Sequence, residues 1–228
     1  MATAKHMAHY NEAHPVPLVV THYINLICMC FLIFTGFMIH FPYIAGIMGV
    51  CRGLHIACGI ILGINLIVRI IFMFTIKSAP TQGTRIVDKD YKNWFPQADN
   101  RHQMVPQLKY YLFMKKQHPL TAKFNPLQKI AYWFAGLLII FMLITGLSLW
   151  EVTAPAFAWL TAAWGGAMSM RIIHYFGMFV MIIFMIAHIY LVALDGMATF
   201  KSMFARREHG GLVYDPEKHS VVGEDTSI

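Results

Sequence analysis

Four long apolar stretches decide what this chain can become. They cover residues 16–41, 51–76, 126–150 and 170–194, and a helix needs about 20 residues to cross the hydrocarbon core of a bilayer. In lipid the backbone must satisfy its own hydrogen bonds, so each stretch is predicted to be a helix. Composition agrees. The chain is 57% hydrophobic and only 13% charged, against roughly 25% charged in a soluble protein. The aromatic and aliphatic load excludes disorder. A secreted disulfide scaffold is excluded because Cys28, Cys30, Cys51 and Cys58 all lie in apolar segments. The expected fold is an all-α membrane protein: a four-transmembrane-helix bundle forming one integral-membrane domain over residues 1–228. The opening residues are polar and His-rich rather than basic, and no small-residue cleavage site follows, so the first span is expected to be retained.

Charge sets the expected orientation. Of the 18 Lys and Arg residues, only Arg52, Arg69 and Arg171 lie outside the N-terminus, the 77–129 region and the tail from 195 to 228. The connections at 42–50 and 151–169 carry no Lys or Arg. By the positive-inside rule, both termini and the 77–125 loop are expected to face the cytoplasm. The net charge of +7 is thus a topology signal matched to an anionic inner leaflet, and no basic patch on a soluble domain points to nucleic acid. Within the long loop, Leu108 to Lys116 alternates apolar and basic residues at roughly helical spacing. A short interfacial helix or a solvated loop would each fit it. The segment Val152–Ser169, with Trp159 and Trp164, fits a lipid-facing hairpin or a surface for another subunit.

The chain also echoes itself. Phe31-Leu-Ile-Phe-Thr-Gly36 in the first span matches Phe141-Met-Leu-Ile-Thr-Gly146 in the third, 110 residues on. Arg52-Gly-Leu-His55 matches Arg171-Ile-Ile-His174, 119 residues on. Two related helix hairpins are expected, joined by the long loop.

Histidines carry the candidate chemistry. Eight of the twelve (His6, His9, His14, His40, His102, His118, His209 and His219) fall in tails, loops or at a span end, where a solvated role is the default. His22, His55, His174 and His188 lie inside spans, where ionisable side chains are costly and usually functional. His174 and His188 are 14 residues apart, so they share a helix face within about 40° and sit roughly 21 Å apart along it. The alternating direction of the spans puts His174 at the depth of His55, and His188 at the depth of His22. Two bis-imidazole sites at two depths suit b-type haem, whose iron accepts axial imidazoles from both sides. Zinc prefers four ligands, and neither pair has a Cys or carboxylate beside it. Attachment would be non-covalent, because Cys-x-x-Cys-His is absent. A packed neutral imidazole is the structural alternative for each. Arg52 and Arg171, one turn before a candidate ligand, could pair with haem propionates or simply snorkel to the interface. Gly36, Gly59, Gly63, Gly146 and Gly177 would admit a porphyrin close to the backbone, or serve small-residue helix packing.

These residues resemble the di-haem cytochrome b family that anchors respiratory nickel-iron hydrogenases and formate dehydrogenases, a cytochrome b561-like family. The likeness covers nearly the whole chain: His22 in the first span, Arg-x-x-His55 in the second, His174 and His188 in the fourth. Arg69, fourteen after His55, and Tyr110-Tyr-Leu-Phe-Met-Lys followed by Phe124-Asn-Pro-Leu-Gln-Lys129 look most like the hydrogenase branch. The gamma subunit of formate dehydrogenase is similar in the four histidines and in the Asn125…Gln128-Lys129 segment. The resemblance implies two haem b groups, an outer one on His55 and His174 and a cytoplasmic-side one on His22 and His188. It implies a quinone, menaquinone or ubiquinone, near the latter, with Asn125, Gln128 and Lys129 close to it and Tyr132 one turn further in. Tyr132 falls at the repeat position of His22, and Arg69 at that of His188; a buried Arg69 needs a propionate, a quinone oxygen or a carbonyl as partner.

The expected function is electron transfer. An outer-facing iron–sulfur subunit of a hydrogenase, working with its catalytic subunit, would deliver electrons that end on the quinone pool. A formate dehydrogenase partner is the first alternative, and a stand-alone b561-type oxidoreductase the second. A transporter or plain anchor with proton-relaying or merely packed histidines is the third.

Overall fold

A computed structural model of the protein describes residues 8–81, 83–96, 102–116, 119, 122–195, 197–215 and 220–225. His6, Asp99, His118 and His219 lie outside them. In chain order the helices are α1 (Val16–His40), α2 (Met48–Thr75), α3 (Tyr91–Trp94), α4 (Met104–Tyr111), α5 (Pro126–Leu149), α6 (Ala158–Ala163), α7 (Ala167–Asp195) and α8 (Met197–Ala205). Short antiparallel pairs join β1 (Lys77–Ser78) to β2 (Asp88–Lys89) and β3 (Gly211–Asp215) to β4 (Ser220–Asp225). Among the described residues four helices, α1, α2, α5 and α7, are long and apolar enough to cross a membrane. Their ends fall within three residues of the four stretches read from the sequence.

The chain divides into two compact units: residues 20–69 with 134–187, and residues 1–19 with 70–133 and 188–228. In the first of these, helical periodicity sorts the side chains. Along α2, Cys51, His55, Cys58, Leu62, Asn65 and Arg69 recur at steps of three and four and so share one face. Cys51, Cys58, Leu62 and Asn65 are buried, whereas Ile60, Ile64 and Ile67 on another face are exposed. An exposed isoleucine stripe is what lipid, rather than water, as solvent permits. Cys28 from α1 packs with Cys58 and Leu62 in a small core that Ile24, Leu32, Leu54 and Ile139 complete. Close helix approach uses small residues: a Cβ on Gly63 would sit 2.8 Å from Leu143 Cδ2, and one on Gly177 would sit 2.5 Å from Met142 Sδ. The turn from α6 into α7 needs glycine, because Gly165 and Gly166 adopt φ of +87° and +96°. Their N–H groups close the helix end on the carbonyls of Ala162 and Thr161.

The second unit includes described parts of the N-terminal segment, the 77–125 loop and the C-terminal tail. Pairing of β1 with β2 brings Ser78 beside Asp90, and Lys123 Nζ completes the group at 2.8 Å from Asp90 Oδ1 and 2.9 Å from Ser78 Oγ. Ser78 Oγ and Trp94 Nε1 also donate to the carboxylate, at 2.5 and 2.9 Å. Burial alone would push the Asp90 carboxyl up. The Lys123 ammonium and the surrounding donors outweigh it and hold the group at about 2. The N-terminal segment joins the same unit through a backbone bridge of His9 to His209, through Arg206 donating to the His14 carbonyl, and through Arg85 between the carboxylates of Glu12 and Glu208. The short helix expected at Leu108–Lys116 is displaced. It forms as α4, starting four residues earlier and ending at Tyr111, because Phe113 turns left-handed (φ +58°) and the N–H groups of Met114 and Lys115 both return to the Lys109 carbonyl.

Candidate functional site

The Thr-Gly and Arg-x-x-His echoes meet in the unit formed by residues 20–69 and 134–187. Thr35 of α1 places its Oγ1 2.9 Å from Nδ1 of His55 on α2. Thr145 of α5 repeats this at 2.8 Å from Nδ1 of His174 on α7. The glycine after each threonine lets the ring lie against the helix: a Cβ on Gly146 would be 3.3 Å from His174 Cε1, and one on Gly36 would be 3.6 Å from His55 Cε1. The motif is thus a seat for an imidazole from the neighbouring helix, built twice.

The two seated rings face each other with centroids 6.2 Å apart and planes inclined at 71°. An imidazole–metal bond is about 2 Å and a ring nitrogen lies about 1 Å from its own centroid, so imidazoles on opposite sides of one metal have centroids ~6 Å apart. Holding each ring at Nδ1 leaves Nε2 for coordination. The pair therefore fits an axially bis-imidazole iron. It does not fit a four-ligand zinc centre: among the described residues no group of three or more His, Cys, Asp or Glu side chains comes together. Arg52 and Arg171, one turn earlier on α2 and α7, are exposed, as cations serving an anionic group at the edge of such a site would be. A Cβ on Gly59 would meet nothing within 4 Å.

His22 is half-buried in this same unit. Its chain neighbour Thr21 is buried, receives a hydrogen bond at its carbonyl from Asn65 Nδ2 (2.7 Å), and lies 3.4 Å through Oγ1 from Arg69 Nη1. Asn65 also bonds Asn25 Oδ1 at 2.6 Å. The sequence reading overlooked Asn25 and Asn65. Two amides one turn apart from the Arg69 and Thr21 levels, inside apolar spans, were the available signal.

In the other unit, the ring of His188 stands 6.3 Å from that of Tyr132, which also touches Trp94 and Phe124 at 6.0 and 5.1 Å. Lys129 is buried and donates to the Phe95 carbonyl at 2.8 Å. Asn125 and Gln128 bond each other reciprocally: Gln128 N–H to Asn125 Oδ1 at 2.8 Å, and Asn125 N–H to Gln128 Oε1 at 3.0 Å. With Pro126 at the first helical position, this is a capping box that starts α5. Asn125 also donates to the Tyr111 hydroxyl at 2.7 Å.

Comparison with known proteins places the chain among membrane cytochromes. The chain is 23% identical to a probable Ni/Fe-hydrogenase B-type cytochrome subunit of Bradyrhizobium diazoefficiens, covering 84% of this chain and 81% of the relative. It is 25% identical to the probable Ni/Fe-hydrogenase 1 B-type cytochrome subunit of Escherichia coli, over 90% of each chain. A putative protein-methionine-sulfoxide reductase subunit of Azospira oryzae is 26% identical over 79% of this chain and 90% of its own. The family model for prokaryotic cytochrome b561 matches residues 13–206, a region that takes in all four bilayer-length helices and both threonine seats, and on that match the chain belongs to the prokaryotic cytochrome b561 family.

Proposed function

We propose that this protein is the membrane cytochrome b subunit of a nickel-iron hydrogenase, exchanging electrons between the hydrogenase's iron–sulfur subunit and the quinone pool of a prokaryotic inner membrane, with both termini cytoplasmic. The observation that carries the reading is the facing pair His55 and His174, each backed by a threonine and spaced for one iron. The hydrogenase relatives supply the partner. When bound, haem b provides one-electron Fe(III)/Fe(II) chemistry.

The chain's own residues do the rest. His55 and His174 would hold the haem iron through Nε2, and Arg52 and Arg171 would offer cations to its propionates. A second haem is assigned to His22 and His188 from their matched depth in the sequence. Arg69, hydrogen-bonded to Thr21, supplies a cation to a propionate or a quinone oxygen. Lys129 and Tyr132 are the candidate donors to a quinone, and Asn125 and Gln128 fix the helix start that positions them. Reduction of a quinone takes up two protons, which these donors on the cytoplasmic side would hand on. The Val152–Ser169 segment, which exposes Val152, Trp159, Trp164 and Met168, is the candidate contact for the outer subunits.

Purification in mild detergent tests this directly. A dithionite-reduced b-type α band, two haems per chain and co-purifying hydrogenase subunits are expected. Absence of the α band would end the reading. The likeness to a methionine-sulfoxide reductase subunit favours a second reading in which the same cytochrome serves that reductase, and a reductase co-purifying in place of a hydrogenase would decide for it. A lone chain with full quinone-reducing turnover would instead point to a stand-alone oxidoreductase.

A further inference from the structure

We infer that Thr35 and Thr145 are positioning residues that fix the tautomer and ring plane of the two haem-binding imidazoles, and thereby set the reduction potential and the magnetic signature of the iron between them. This rests on the haem reading above. The hydroxyl of Thr35 has one proton, and it is committed within α1 to the Phe31 carbonyl at 2.6 Å. That of Thr145 is committed to the Phe141 carbonyl at 2.9 Å. Such bonds to the carbonyl four residues back are the usual state of threonine inside an apolar helix. With its proton spent, each oxygen can only accept, so the partner Nδ1 must donate.

Two consequences follow. Nδ1–H on both rings leaves both Nε2 lone pairs available, so the ligand set is prepared before any iron arrives. An Nδ1–H held by an acceptor makes the imidazole a stronger electron donor, which favours ferric iron and lowers the potential. The second consequence concerns orientation. Each ring is pinned at one nitrogen and laid against a glycine, and the two planes end up 71° apart. Axial imidazoles with strongly crossed planes leave low-spin ferric iron highly anisotropic, with a large principal g value in electron paramagnetic resonance (EPR). Nearly parallel planes give a more rhombic signal.

Thr35→Val and Thr145→Val keep shape and remove the acceptor, whereas Thr35→Ser and Thr145→Ser keep the hydroxyl. Haem content, redox titration and EPR of the ferric protein are the readouts, on the full chain in detergent. Each valine variant is expected to raise the potential of one haem, shift its large-g signal, and weaken haem retention about 10- to 100-fold. Each serine variant is expected to match the parent. A valine variant that loses this haem altogether while its serine counterpart keeps it supports the inference equally. Valine variants with unchanged potential and EPR, or serine variants that lose haem as fully as the valine ones, would overturn it. Parent protein without any b-type haem would instead defeat the functional reading, so the two failures are distinguishable.

Discussion

The imidazoles of His55 and His174 stand 6.2 Å apart, centroid to centroid, although 119 residues separate them in the chain. Neither helix brings the other's histidine closer by sequence. The contact exists because two helix hairpins present the same seat to each other. On the two-haem proposal, His174→Ala or His55→Ala should therefore remove one haem per chain and leave the other reducible. A pyridine haemochrome assay on purified protein reads this, and a content equal to the parent's would count against the assigned ligands.

The two glycines of the seats should not tolerate alanine equally. A Cβ at Gly146 would press on the His174 ring at 3.3 Å, whereas at Gly36 the ring is at 3.6 Å and the tighter neighbour, at 3.1 Å, is the flexible end of Met178. Methionine can yield where a hydrogen-bonded imidazole cannot. Gly146→Ala is expected to move the α band and the midpoint potential measurably, and Gly36→Ala to leave both close to the parent. The reverse ranking would show that the rings are not seated as described.

The Asp90–Lys123 pair is almost wholly out of solvent. Removing one partner of such a pair strands a buried charge and typically costs about 3–5 kcal/mol. Asp90→Asn should lower the thermal midpoint in detergent sharply, and Asp90→Asn with Lys123→Met should recover part of the loss. Because the folded carboxyl titrates at about 2 against 3.8 unperturbed, its contribution, roughly 2 kcal/mol, is present above about pH 4 and fades as the pH falls toward 2. Acid unfolding curves should show that window in the parent and lose it in Asp90→Asn.

Asn125 separates a helix cap from a ligand. Asn125→Ala should cost about 1 kcal/mol and loosen the start of α5. Asn125→Asp retains a capping oxygen but loses the amide donor to the Tyr111 hydroxyl, which would have to donate to the carboxylate instead, so it should cost less than Asn125→Ala. If KM for a soluble quinone analogue stays at the parent value in Asn125→Asp, the residue acts through the helix start. A rise in KM without loss of stability would give its amide a direct part in quinone binding.

Much of this was legible from one sequence. Bilayer-length apolar runs read as helices because lipid leaves the backbone no other way to satisfy itself, and α1, α2, α5 and α7 begin and end close to where hydropathy put them. The repeated Thr-Gly and Arg-x-x-His elements were visible as a pattern, yet what the threonine does was not. A hydroxyl in an apolar helix reads as self-satisfied until a neighbouring helix is seen to place a ring nitrogen on it. Asn125 and Gln128 stood out in a segment that carried the family resemblance, and the structure shows that their amides are engaged with each other and with Tyr111. The shift of α4 from its expected place turns on one left-handed residue, Phe113, for which periodicity gives no sign.

By itself, then, the sequence determined that the chain belongs in a bilayer, how many stretches are long enough to cross it, and which histidines fall inside those stretches. Those properties follow from burial energies summed along a single helix, which local composition specifies. Only the tertiary structure decided which groups meet: Thr35 with His55, Thr145 with His174, Asp90 with Lys123. Hydrogen bonds and ion pairs depend on separations of a few tenths of an ångström between atoms far apart in the chain, and these are set by how the helices pack.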